Sequence, residues 1–333
     1  MEIEKNNFIL SFEIYGITAK MIIDDERVAG WFEDYLARYL CSLPKSADIS
    51  FDVKVNPPKL MEVPEDAEWF LNYYGLAGFT SEETFFFRAY DSVFRFVPSE
   101  NHIEGTLSPG ILAHPRFLTH VFFTIVLFET LRYHGLYYIH SAGLVSENDK
   151  GLLIPANASS GKSTLSIALL HNGYRCVSDD ALFAKWVEES VELVPFKREF
   201  HVSLRTAEVF PELNYLLKEP PYFPGLEKRA FEVERIYPTK IAEVMDAPSV
   251  VLFPEIVPEK ESSIKPLNPQ EALVRMIKNS ALVMFSQPAA KKHLEALKAI
   301  VSSAECFVLK SGRDVYYDPI TAVSRILEMI GLI

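Results

Sequence analysis

The sequence predicts an α/β fold, in which a larger α/β domain follows a smaller N-terminal α+β module. Three observations predict it. An apolar run, Leu152-Leu153-Ile154, leads through a loop of small residues, Ala156 to Gly161, into helical periodicity from Lys162 to Leu170. A second short run, Tyr174 to Val177, delivers Asp179-Asp180 at the carboxyl end of a strand, where open α/β sheets bind ligands. The first third has a different texture, with strand-like alternation, one amphipathic helical stretch and many aromatic residues. A chain of 333 residues suits two domains of about 100–200 residues each. The Gly, Ser and Pro residues between Gly105 and Pro115 place the junction there, giving a module over 1–110 and a domain over 111–333.

Taken in order, Phe8 to Ile14 and Ile49 to Val55 alternate as strands, and Asp25 to Leu43 has helical spacing with Trp31, Phe32, Tyr35, Leu36 and Tyr39 on related faces. Pro57-Pro58 to Pro64 breaks the pattern, after which Phe85 to Phe87 and Val93 to Val97 predict further strands. These aromatics are assigned to the core, with a peptide-binding face as the alternative. The apolar stretch Phe117 to Leu131 is interrupted by Thr119, His120, Thr124 and Glu129. It falls short of the ~20 residues of a membrane span and predicts a buried helix.

Leu136 to His140 and Ala142 to Val145 predict two strands, with His140 at the end of the first, and Glu147 to Gly151 a polar turn. Asn172-Gly173 caps the helix that follows the loop. Glu219 to Gly225, with Leu226 to Arg229 after it, is a long loop, a connector with a lid as the alternative reading. Val250 to Pro254 and Phe307 to Leu309 then predict strands, and Pro269 to Lys278, Ala290 to Ser302 and Pro319 to Ile330 helices.

The chemistry concentrates in the loop. In a phosphate-binding loop, backbone N–H groups at a helix N-terminus face phosphate oxygens, a Lys reaches the terminal phosphates and a Ser or Thr hydroxyl ligates Mg²⁺. Ala158, Ser159, Ser160, Gly161, Lys162, Ser163 and Thr164 stand in the required order. The loop has one glycine, Gly161. If position 156 or 159 takes a positive φ, a side chain there costs about 1–2 kcal/mol. A carboxylate at a reference pKa of about 3.9 is ionised at neutral pH and can orient and deprotonate an attacking hydroxyl.

His140-Ser141-Ala142-Gly143, Ala158 to Ser163, Ser178-Asp179-Asp180-Ala181 and the basic segment Pro195 to Leu204 together resemble the HPr serine kinase/phosphorylase family and its relatives. The nucleotide site of that family is related to that of PEP carboxykinase. The resemblance spans roughly residues 117 to 330. It implies a P-loop kinase using ATP and Mg²⁺, with Asp179 accepting the proton of a substrate hydroxyl and Asp180 with Ser163 holding Mg²⁺. It implies Lys162 on the β and γ phosphates, His140 beside the aspartates, and Lys197 and Arg198 as further phosphate or substrate contacts. The chain lacks the Glu-Ile-Arg-Gly-type signature of true HPr kinases, so HPr is not the expected acceptor and phosphorolysis is not carried over. Relatives with shorter signatures phosphorylate precursor peptides, which makes a Ser of a peptide or protein the expected acceptor.

Net charge −12 excludes a general nucleic-acid binder, whose partner demands a basic face, and favours a cationic or neutral acceptor. Cys41, Cys176 and Cys306 are few and widely spaced, so neither a disulfide framework nor a zinc site is expected. With a charged N-terminus and no signal pattern, the expectation is a cytoplasmic protein without a membrane partner, able to form a homo-oligomer. Two other functions fit the same residues: a small-molecule hydroxyl kinase, and a non-catalytic nucleotide-sensing or peptide-binding protein.

Overall fold

A computed structural model describes residues 2–4, 7–157, 159–223, 226–280 and 287–332. It is a mixed α/β structure that divides into two units, Met1–His134 and Gly135–Ile333.

The first unit is built on a nine-stranded sheet. Its strands are β1 (Glu2–Glu4), β2 (Asn7–Ile14), β3 (Ile17–Ile23), β4 (Ile49–Val55), β5 (Glu68–Tyr73), β6 (Leu76–Ser81), β7 (Thr84–Ala89), β8 (Ser92–Val97) and β9 (His102–Leu107). Their order is β1-β2-β3-β4-β9-β8-β7-β6-β5, so β5 and β1 form the edges. β4 pairs in parallel with β3 and β9; the other neighbours are antiparallel. Tight turns at Tyr15-Gly16, Tyr74-Gly75 and Tyr90-Asp91 use positive φ, as two-residue hairpins require.

The helix Glu26–Leu36 starts where the Asp25 carboxylate accepts from the Val28 N–H (2.9 Å), an N-cap. It ends before the expected Leu43, because Ala37–Tyr39 tightens into a 3₁₀ turn and Leu40 bridges to Phe12 of β2. A helical run from Pro115 to Tyr133, with a π-helical stretch over Leu118–Phe123, belongs to the same unit. Phe123 packs edge-on to Phe32 (4.8 Å between centroids) and Phe122 to Phe94 (5.0 Å). Each such buried ring contributes about 1.5–3 kcal/mol.

This packing corrects the expected junction. Gly105 lies inside β9 with the Phe94 ring 2.5 Å from where a Cβ would stand, and the apolar helix stays with the first sheet. The division therefore falls at His134–Gly135 rather than near residue 110.

The second unit carries an eight-stranded sheet. Its members are β10 (Tyr137–Val145), β11 (Gly151–Pro155), β12 (Arg175–Ser178), β13 (Ala181–Val187), β14 (Ser190–Pro195), and, beyond the separate ribbon of β15 (Glu199–Ser203) and β16 (Lys228–Glu232), β17 (Val250–Ile256), β18 (Ser263–Leu267) and β19 (Glu305–Ser311). The order is β14-β13-β10-β11-β17-β19-β18, and β12 also pairs with β10. β11, β17 and β19 are parallel neighbours. Both faces are covered: Leu152 and Ile154 join a core with Leu165, Leu169 and Val323, while Leu153 joins another with Val251 and Leu297. Burial on both faces explains the unbroken apolar run of β11.

Three expectations shift here. The two expected strands are one, β10, because its first half pairs with β13 and its second with both β11 and β12. His140 thus sits mid-strand. Lys228 and Arg229 lie in β16, opposite Ser203 and Val202, not in a loop. Residues 224 and 225 of the expected long loop lie outside the described residues.

Candidate functional site

β10 is antiparallel to β11 and to β12, so β11 and β12 point the same way. Their carboxyl ends therefore open on one edge of the sheet. From β11 the chain enters the small-residue loop and then the helix Lys162–His171; from β12 it delivers Asp179 and Asp180. The helix closes on Asn172-Gly173 with Gly173 at φ 90 and the Tyr174 N–H bonded to the Leu169 carbonyl (3.0 Å), a left-handed C-cap.

Within the loop, Ser159 takes φ 66 and Gly161 φ 87, whereas Ala156 stays out of that region. Of the two positions where strand-to-helix strain is anticipated, Ser159 carries it, at about 1–2 kcal/mol, and Ala156 does not. The Ser160 hydroxyl donates to the Asn157 carbonyl (2.7 Å). Ala158 lies outside the described residues. Gly161 is the N-cap and supplies no side-chain acceptor, so the first-turn N–H groups are placed to donate to an external anion.

The side chains around the loop converge. Lys162, buried, places Nζ 2.9 Å from Asp180 Oδ1, which also meets His140 Nε2 at 2.9 Å. The Ser163 hydroxyl donates to Asp179 Oδ2 (2.6 Å). Ser163 thus pairs with Asp179, and Lys162 with Asp180. Thr164 exchanges a hydrogen bond with Thr206 (2.9 Å) and so fastens the helix to the segment after β15.

The two adjacent carboxylates have opposite environments. Asp179 is 1% exposed, and its Oδ1 is buried without a partner; the neighbouring Ser166 hydroxyl donates to the Lys162 carbonyl instead (3.0 Å). Burial raises the Asp179 carboxyl above the usual range, against the Lys162 charge and the Ser163 hydrogen bond, with the Asp180 charge adding to the rise. The expectation of an ordinary aspartate pKa does not hold there. The Asp180 side chain keeps 45% exposure. Burial opposes its ionisation too, but Lys162, the His140 hydrogen bond and charge, and His201 outweigh that and hold it well below the carboxylate range.

Arg198 is not brought to this cluster. Its guanidinium donates to the carbonyls of Val177 (3.3 Å) and Ala242 (3.0 Å) and pairs with Glu243 (2.7 Å) and Glu234 (3.4 Å). It braces the strand that carries the aspartates. Lys197 reaches the site through its backbone, its carbonyl accepting from the Ser178 hydroxyl (2.7 Å), while its ammonium lies 6.0 Å from the Phe196 ring.

One residue escaped the sequence reading of roles. His201 offers its carbonyl to Ser163 (3.4 Å), bonds Glu199 (2.7 Å) and packs its ring at a tilt against Tyr222, 4.1 Å between centroids. The strand period puts Glu199, His201 and Ser203 on one face of β15, a signal that marks the face without saying that it meets the loop.

Among the described residues, no group of three His, Cys, Asp or Glu side chains is arranged to hold a metal ion by itself. Mg²⁺ takes one or two protein oxygens and completes its shell with phosphate and water. Ser163, Asp179 with its orphaned oxygen, and Asp180 are the available donors.

No protein-family model and no curated protein matches this chain. Among solved structures it is similar to the Hpr(Ser) kinase/phosphatase from Coxiella burnetii, with 13% identity and a TM-score of 0.30 over 58% of this chain and 97% of that one. Among the described residues, no helix is long and apolar enough to cross a membrane.

Proposed function

We propose that the unit Gly135–Ile333 binds ATP with Mg²⁺ and transfers the terminal phosphoryl group to a hydroxyl, a Ser of a peptide or protein. The observation that carries this reading is the meeting, at one sheet edge, of a buried loop lysine and two strand-end carboxylates: Lys162 on Asp180 and Ser163 on Asp179. Phosphoryl transfer asks mainly for positioning and charge neutralisation, and these groups supply both.

The helix N-terminus and Lys162 hold the phosphates. Ser163 and Asp180 hold Mg²⁺, which when bound neutralises phosphate charge. Lys162 must exchange Asp180 for a phosphate oxygen, and Ser163 must release Asp179. Asp179 then takes the acceptor's proton as the hydroxyl oxygen bonds to phosphorus and the bridging P–O bond breaks, with the diphosphate leaving. The divergence of the two carboxylates supports this division: the raised one is the better proton acceptor and the lowered one stays anionic beside cations. His140 fixes Asp180 through its 2.9 Å contact.

The test is titration calorimetry of ATP with Mg²⁺, followed by transfer from labelled ATP to Ser peptides, free serine, sugars and nucleosides. Asp179→Asn is expected to bind nucleotide as the wild type does and to lose transfer. Normal turnover by that variant at saturating acceptor would remove Asp179 from the role of base. A folded wild type that binds no nucleotide would favour the non-catalytic peptide-binding reading.

A further inference from the structure

We propose that the β5 edge of the first unit docks an extended, basic peptide segment by strand addition. β5 terminates the nine-stranded sheet, and a sheet edge presents backbone donors and acceptors to an added strand. The strand is held firmly from inside. Leu71 is buried, and the Phe70 ring lies over Gly78, where a Cβ would stand 2.8 Å from it, and meets Phe85 and Phe87 at 5.9 Å each.

Outward, the same strand and its turn expose large aromatic surface. Trp69 is 62% and Tyr74 72% exposed, with Asn72 exposed between them. Exposed aromatics grouped on an edge are a recognition feature, whereas scattered ones need no explanation.

Charge identifies the occupant. Between Lys59 and Arg88 the chain carries Glu62, Glu65, Asp66, Glu68, Glu82 and Glu83 and no Lys or Arg. All six are exposed, and they flank β5 in the sequence and across its hairpin to the β6–β7 turn. Such an edge repels a second copy of itself, in a chain of net charge −12, and attracts a cationic strand. Alternating side chains of that strand would set apolar groups on Trp69 and Tyr74 and basic ones toward the carboxylates. The surface is argued from its own residues and stands whether or not the second unit transfers phosphate.

The test uses the full chain without nucleotide and a short fluorescent peptide of alternating Lys and Val, read by anisotropy at low salt. Its Glu-Val counterpart and a Lys-Val peptide N-methylated at alternate residues serve as controls. Saturable binding is expected, weaker by about tenfold or more for either control and weakened by salt. The double variant Trp69→Ser, Tyr74→Ser is expected to keep the wild-type melting temperature, since both side chains are exposed, and to lose binding by a similar factor. Three results would each overturn the proposal: no saturable binding, binding indifferent to the double variant, or binding indifferent to N-methylation. Concentration-dependent dimerisation abolished by the double variant would overturn it in favour of edge pairing between copies.

Discussion

Lys162→Met separates phosphate binding from folding. In the wild type the ammonium is buried and bonded at 2.9 Å to Asp180. The Asp180 side chain is 45% exposed and keeps its His140 contact, so water replaces the lost partner. The cost to the fold is then about 1 kcal/mol, near the level of exposed pairs. In the proposed nucleotide complex the same ammonium would make charge-assisted bonds to phosphate worth about 1.5–3 kcal/mol, or about 10- to 150-fold in affinity. The assay is calorimetry, supported by thermal melts. At a ligand concentration about 100 times the wild-type Kd, ATP stabilises by about 2.7 kcal/mol, whereas a variant about 100-fold weaker gains only about 0.4. For a unit of this size those gains correspond to Tm shifts of about 5–11 °C and about 1 °C. An affinity within about threefold of the wild type, with the fold intact, would refute the placement of Lys162 on phosphate.

Asp179→Asn is expected to raise Tm at neutral pH. Its raised native pKa means that the protonated carboxyl's stabilisation is present below the unfolded value of about 3.9 and lost as pH rises through the native value. The variant's advantage should therefore vanish below about pH 4 in melts across pH, and an advantage that persists in acid would contradict the burial argument. Arg198→Met is expected to cost about 2–4 kcal/mol by leaving the Val177 and Ala242 carbonyls without their guanidinium donor, and an unchanged denaturation midpoint would show that the brace is dispensable. Gly105→Ala drives a Cβ to within 2.5 Å of the Phe94 ring and is expected to destabilise by about 1–3 kcal/mol in the same assay; a neutral result would mean that the sheet yields there.

The elements that the sequence makes legible are those set by local pattern. The apolar run, the small loop, the helix with its Asn172-Gly173 cap and the strand ending on two aspartates each follow from residues a few positions apart. Elements set by distant partners read less well. His140 looks terminal because Ser141 interrupts an apolar pattern, yet β13, β11 and β12 hold the whole of β10 together. Gly105 looks like a linker residue, but it is small because a phenyl ring covers it. Arg198 looks like a phosphate ligand by its place in a basic segment, and only the approach of Glu234, Glu243 and two carbonyls turns it into a brace.

The aspartate pair shows why the site's chemistry lies beyond pattern. Asp179 and Asp180 are the same residue type in adjacent positions, in the bend between β12 and β13, and their side chains meet different partners. One side is the packed junction of β12 with the loop helix, where Ser163 is the partner and burial dominates. The other is the mouth of the site, where Lys162 and His140 converge on Oδ1 of the half-exposed Asp180 side chain. Burial and partners thus set two identical carboxyls apart, raising the pKa of one and lowering that of the other, a division that the proposed phosphoryl transfer would use. The flanks of the bend hold the aspartates in these places, since Val177 and Ser178 before them are buried and Ala181 after them pairs with His140 of β10. The core therefore fixes which aspartate is which.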